Sequence, residues 1–159
     1  RDKESDIKIV RISHTYGPGL AINDGRVMSE FIKKALIERR ISLLDGGKSV
    51  KTYGYIVDSV AMILFIGFHG RNFVYNVGGK DSVSVLKLAN MVAKYCGVHC
   101  EVPKNVSKLA FVGKDPAVVR LDLSRIKSEM KKFKFMSFSE GLSCTIEWTK
   151  EQIQNDKNK

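Results

Sequence analysis

The chain has 159 residues, 43% of them hydrophobic, and carries a net charge of +10. Such a length and composition suit one buried core, so the expectation is one domain, or part of one, rather than a disordered segment. No apolar run reaches the roughly eighteen residues of a membrane span, and the opening RDKESD lacks the basic-then-apolar layout of a secretory signal. A soluble cytoplasmic protein with no membrane partner is expected.

Three cysteines, Cys96, Cys100 and Cys144, make an odd number and no disulfide framework. Cys96 and Cys100 flank His99, but no second ligand pair with zinc spacing follows, so no metal site is expected. The positive charge favours an anionic partner. Much of it lies in Lys33-Lys34, Arg39-Arg40, Lys131-Lys132 and the end at Lys157-Asn158-Lys159, which read as solvated helix faces and a terminus. Aromatic residues are not interleaved with these charges as base stacking requires, and nucleic acid is not an expected partner.

In chain order, Ile7, Ile9, Val10 and Ile12 predict a parallel strand covered on both faces. A Gly/Pro-rich loop follows, then a helix with Val27, Phe31, Ile32, Ala35 and Leu36 at helical spacing, capped by Asn23 or Asp24 and ending near Arg39-Arg40. Ile41 to Leu44, the turn Asp45-Gly46-Gly47-Lys48 and the alternating Tyr53, Tyr55 and Val57 predict a small hairpin-like unit. Asp58 is placed to cap an apolar helix from Ser59 to Phe68, stopped by Gly70. Phe73 to Val77 reads as a second buried strand, closed by Gly78-Gly79.

Asp81 and Ser82 can cap a helix bearing Val85, Leu86, Ala89, Met91 and Val92, terminated by Gly97. A strand over His99 to Val102 precedes Pro103, and Asn105 to Arg120 reads mostly as loop. Asp122 or Ser124 starts a short helix with Ile126 and Met130 on one face. Ser137 and Glu140 form a capping box for a last helix striped by Leu142, Ile146 and Ile153. Residues 155–159 are expected to be a disordered tail. Strands alternating with helices predict an α/β fold with parallel pairing, reading like the latter part of a larger α/β protein.

The segments RISHTYGPG, NDGRVMSEFI, GGKSVKTYGYIVDSV, VYNVGG and SEGLSCTIEW occur in this order from about residue 7 to residue 150. In order and spacing the chain resembles the C-terminal half of the extended short-chain dehydrogenase/reductases of the NAD-dependent epimerase/dehydratase family. NDGRVMSEFI looks most like the UDP-glucuronate decarboxylases. The resemblance implies an incomplete fold: late strands of a Rossmann-like parallel sheet plus a small α/β substrate-binding region, over residues 1–154. It also implies an enzyme that uses NAD to oxidise C4 of a UDP- or dTDP-sugar, with a tyrosine base supported by a lysine, and a homodimer in its complete form. No GxxGxxG loop follows a predicted strand and no tyrosine has a lysine four residues later. No catalytic residue is therefore assigned, and this segment alone is expected to be inactive. The alternative is a stand-alone nucleotide-sugar binding or regulatory module.

The resemblance further implies cofactor contacts by Thr15 and Arg26, a strip Val27, Met28, Ser29 and Phe31 against the nucleotide base, and contact with the diphosphate region by His14, where the family often has Asn. Lys51 stands where many relatives have a phosphate-binding arginine; it keeps the charge without the bidentate fork. Asn76, after a strand, is an amide near the ligand or a turn former, and Arg120 matches an arginine that reaches a phosphate. Each residue also has a local reading. Thr15 can cap backbone, His14 can support its loop, and Phe31 can be core. Arg26 sits near a helix start, where a cation is disfavoured unless an anion joins it. Tyr53, Tyr55 and Asp58 read as structural.

Overall fold

The computed structural model describes residues 7–103 and 116–157. In chain order the elements are β1 (Ile9–Ile12), β2 (His14–Tyr16), α1 (Val27–Lys33, continued by a π-helical turn Lys34–Glu38), β3 (Arg40–Ser42), β4 (Val50–Tyr55) and α2 (Ile56–His69). They are followed by β5 (Val74–Val77), β6 (Ser82–Ser84), α3 (Val85–Cys96), β7 (His99–Glu101), β8 (Val118–Val119), α4 (Ser124–Glu129) and α5 (Phe138–Lys157). This is the α/β architecture with parallel pairing that the alternating pattern predicts.

One extended segment is shared between two sheets. Its first part, β1, pairs in parallel with β5, Ile9 opposite Val74 through Ile12 opposite Val77. Its second part, β2, pairs in parallel with β4, His14 opposite Tyr53 and Tyr16 opposite Tyr55. Ser13 stands between them, its N–H donating to the Val77 carbonyl at 2.9 Å. The other half of β4 is flanked by β6, antiparallel, and β8, parallel.

The predicted hairpin between β3 and β4 does not form. β3 pairs instead in parallel with β7, Arg40 opposite His99, which draws the end of α3 beneath the π-helical turn. Turn residues between two strand-like runs cannot by themselves specify pairing; Ile41, fully buried, finds its apolar partners under α3. Arg39 ends the π-helical turn at φ +59°, the left-handed region.

Two clusters form the interior. The larger joins β2, β4, α1, α3 and α5 through Tyr16, Ile32, Ile41, Tyr53, Leu88 and Leu142. Leu88, Ala89, Val92, Ala93 and Cys96 make one stripe on α3, and burying each large aliphatic side chain is worth about 1.5–3 kcal/mol. Ser84 caps α3 by accepting the Lys87 N–H, and Gly97 closes it at φ +63°. The smaller cluster lies under α2, β5 and α4 around Met62, Ile66, Tyr75 and Ile126. Its rim is pinned by Glu129, whose carboxylate accepts the Tyr75 hydroxyl and the Asn72 amide.

Several caps differ from the sequence expectation. Arg26, not Asn23 or Asp24, is the N-cap of α1, and it makes no side-chain cap bond. Helix α2 begins at Ile56, so Asp58 lies in its first turn and accepts the Met136 N–H instead, tying the approach to α5 onto α2. At α3 the capping hydroxyl is that of Ser84, the residue just before the helix, because Ser82 lies two residues further from its start. The capping box of α5 is present, Glu140 N donating to Ser137 Oγ at 3.2 Å. That helix runs on through Asn155 to Lys157, past the point where the sequence predicts a tail. The short strand β8 falls within the stretch read as loop, of which residues 104–115 lie outside the described residues.

Strand β1 is not covered on both faces. Ile7, Ile9 and Ile12 are 62%, 42% and 53% exposed, because β5 is the only strand beside β1 among the described residues. A second apolar stripe, Val57, Val60, Leu64 and Phe68, is exposed along α2. Contiguous exposed apolar surface of this kind marks a contact face. Phe68→Ser is expected to change stability in a denaturant melt by no more than about 0.5 kcal/mol.

At the crossing of the two sheets, a Cβ on Gly54 would lie 2.9 Å from both Ser13 Oγ and Ser59 Oγ and 3.1 Å from the Gly78 Cα. Gly54→Ala is therefore expected to cost about 1–3 kcal/mol in a denaturant melt. Unchanged stability would show that the crossing can relax.

Candidate functional site

The loop between β2 and α1 folds over the β2–β4 ladder and makes a cleft. Alternation along β4 points Lys51, Tyr53 and Tyr55 to one face, and all three are buried. Tyr16 fills the space beneath the loop, packing on Phe138, with ring centroids 5.3 Å apart, and on Tyr55. Burial, assisted by the Asp58 carboxylate, pushes its phenol well above the usual tyrosine range. It remains neutral and donates to the Phe138 carbonyl. Gly141 admits this ring: a Cβ there would meet Tyr16 Oη at 2.7 Å.

Arg26 is held from two sides. Its Nε donates to Asp24 at 2.6 Å and its guanidinium also reaches the Thr15 carbonyl at 3.3 Å. Asp24 additionally accepts the Arg26 backbone N–H at 2.9 Å and the Ser29 hydroxyl. Asp24 thus acts as the brace of Arg26 rather than as a helix cap. Partial burial acts to raise the Asp24 carboxyl, but the Ser29 and Arg26 interactions outweigh it and hold the group below its ordinary value of 3.8.

Five of the candidate positions, His14, Thr15, Arg26, Val27 and Met28, line one small cavity of about 10 Å³ together with Tyr53. An adjoining open cleft of about 310 Å³ shares Thr15 and Arg26 with it. The His14 ring is tilted on Tyr53 at 5.8 Å. Ser29 and Phe31 are turned inward: Phe31 belongs to the larger core, and the Ser29 hydroxyl lies 2.7 Å from the Arg26 carbonyl. Lys51 is 7% exposed on β4. Strand β8 places Val119 opposite Lys51, and Arg120 follows it as an exposed residue. Asn76 is elsewhere, on β5 opposite Arg11, with its amide donating to the Asp122 carbonyl at 2.9 Å and lining a separate cavity of about 180 Å³.

Sequence reasoning assigned Tyr53 a packing role and gave Asp24 only a capping role. The period-two pattern Lys51, Tyr53, Tyr55 already placed the tyrosine beside a proposed phosphate ligand. Nothing in the sequence alone paired Asp24 with Arg26. Chemically, the site offers hydrogen-bond donors and cations that can hold an anion. Among the described residues no group of three or more His, Cys, Asp or Glu side chains could hold a metal ion.

Residues 1–78 match the family model described as the NAD dependent epimerase/dehydratase family. Among curated proteins, UDP-glucuronic acid decarboxylase 1 of Xenopus tropicalis is 24% identical over 96% of this chain, which covers 35% of that protein. UDP-glucuronic acid decarboxylase 2 of Arabidopsis thaliana is 26% identical over 99% of this chain and is covered over 34%. The chain thus spans about a third of the length of these relatives. Among solved structures, UDP-glucuronic acid 4-epimerase of Bacillus cereus, in complex with UDP-glucuronic acid and NAD, superposes with a TM-score of 0.75 at 23% identity, covering 92% of this chain and 46% of that one. A dTDP-glucose 4,6-dehydratase of Bacillus anthracis in complex with NAD gives 0.75 at 20% identity, over 91% and 44%. The fold is that of these enzymes in part.

The depressed carboxyl of Asp24 gives a signed expectation. A group whose folded value lies below its unfolded one contributes stability that is complete above about 3.8 and is lost as pH falls through the lower folded value. Asp24→Asn should lower the melting temperature at neutral pH, and the gap to the unaltered protein should close as the pH falls through the lowered folded value of Asp24. A gap independent of pH would show that the Asp24 charge is not what braces Arg26.

Proposed function

We propose that this chain, whose residues 1–78 match the model of the NAD dependent epimerase/dehydratase family, forms the substrate-binding portion of an NAD-dependent enzyme acting on nucleotide sugars. The reaction is of the UDP-glucuronate decarboxylase type, with dehydration and epimerisation the neighbouring chemistries. The observation that carries this reading is the cleft itself, where one cavity gathers His14, Thr15, Arg26, Val27 and Met28 around Tyr53, on the face of β4 that also carries Lys51.

The roles divide by chemistry. Lys51 and Arg120 supply positive charge for the diphosphate, Lys51 as a point charge and Arg120 as a planar fork. His14 offers a ring N–H to the same region. Val27 and Met28 give an apolar wall for the base. The buried Ser29 and Phe31 hold that wall in place, and Asn76 supports the adjoining strand end rather than the cleft.

NAD, when bound, supplies hydride acceptance and return at a sugar carbon. The residues present fit the edge of such a site: Arg26 is a half-exposed cation over the Thr15 carbonyl, and its pairing with Asp24 orients it. They do not make a whole site, since the 159 residues hold neither a GxxGxxG loop nor a tyrosine followed four residues later by lysine. Those groups are proposed to come from sequence outside this segment, which by itself binds and positions without turning substrate over. The complete enzyme is proposed to be a cytoplasmic homodimer.

Calorimetric titration of the protein in its natural length with UDP, dTDP and their sugars tests the reading. Saturable binding is expected, weakened about tenfold or more by Lys51→Ala. Absence of binding to every nucleotide and sugar nucleotide would overturn it. NADH-linked turnover that fails with all of these sugars, despite binding, would favour the non-catalytic module.

A further inference from the structure

We propose that the Tyr53 hydroxyl is a ligand-contacting hydrogen-bond donor of this cleft, directed at an oxygen of a bound diphosphate; the assignment rests on the nucleotide-sugar reading above. Five tyrosines are present. Tyr16 donates to the Phe138 carbonyl, Tyr75 to Glu129 and Tyr95 to the Ser139 carbonyl, and Tyr55 is not among the buried unpaired hydroxyls. Tyr53 is buried, 4% exposed, yet its hydroxyl has no partner among the described residues. Leaving a buried hydroxyl unpaired costs about 1–3 kcal/mol. Buried aromatic packing alone is achieved by phenylalanine without that cost.

The position of the ring says what the hydroxyl serves. Tyr53 is the ladder partner of His14 and lines the cavity that His14, Thr15 and Arg26 also line. On the same face of β4, two residues earlier, stands Lys51. The titratable groups of this wall are therefore donors or cations, apart from Asp24, which is spent on Arg26 and Ser29. Burial pushes the Tyr53 phenol up to about 12, so it keeps its proton and donates. A wall of donors selects an acceptor-rich ligand, and a diphosphate is the acceptor-rich part shared by a nucleotide sugar and a dinucleotide. The cavity holds about 10 Å³, scarcely one water, but it shares Thr15, Tyr16, Leu20 and Arg26 with the open cleft. Arg26 is the long and half-exposed side chain among these shared walls.

The test compares Tyr53→Phe with the unaltered protein, in its natural length, by calorimetry with UDP, UDP-glucuronate, NAD and uridine. Affinity for at least one diphosphate ligand is expected to fall about tenfold, with uridine unaffected and the melting temperature unchanged or higher. Loss confined to the UDP ligands assigns the donor to the sugar nucleotide; loss confined to NAD assigns it to the dinucleotide. Equal affinities for every diphosphate, an equal loss for uridine, or a lowered melting temperature with unchanged affinity would overturn the proposal. A protein that binds none of the ligands even unaltered overturns the functional reading and this assignment with it.

Discussion

The division of one extended segment between two sheets is the constraint from which the rest of the structure follows. Up to Ile12 the backbone belongs to the β1–β5 pair, and from His14 it belongs to β4. The change of partner takes place over Ser13, whose N–H still reaches the Val77 carbonyl. Such a transfer needs the two sheets to approach closely, and Gly54 and Gly78 permit it: side chains there would collide with Ser13. The consequence is that the loop after Tyr16 emerges between a sheet edge and a helix, where polar groups can face a ligand while their backbone is fixed.

That placement explains why the ionic and apolar parts of the site are ordered differently. Arg26 and Asp24 lie in the exposed loop and are ordered by each other, in an arrangement that a ligand can rearrange at small cost. Met28, Ser29, Phe31, Lys51 and Tyr53 are ordered by the core on which the loop sits. A cleft with a fixed floor and an adjustable rim suits a ligand with one flat apolar end and one charged end. The open edge of β1 and the bare stripe along α2 are further apolar surfaces that the described residues leave exposed.

How much of this was legible beforehand follows from range. Local periodicity located β1, α1, α3 and α5, and Gly97 and the Ser137/Glu140 pair marked helix ends where they occur. Pairing was not legible. The run at Ile41 carries no mark of its partner strand at Cys100, nearly sixty residues on, and turn residues between β3 and β4 argued for the nearer strand. The caps failed for a related reason: Asp24 and Asp58 are good caps in isolation, but Arg26 and Met136 compete for them in space. Of the site residues, the order of motifs pointed to the loop at His14, Thr15 and Arg26, which the fold gathers around one cavity. The distance of Asn76 from that cavity depends on β5 lying in the other sheet, which no local pattern reveals.

The central claim is that this cleft receives a nucleotide sugar by its diphosphate and base. Backbone amide chemical shifts recorded during a titration with UDP-glucuronate examine it most directly. The account predicts saturable changes concentrated at residues 14–29 and at Lys51 to Tyr53, with residues along the outer stripe of α2 unmoved. Changes centred on Asn76 and α4, or none at saturating ligand, would contradict it.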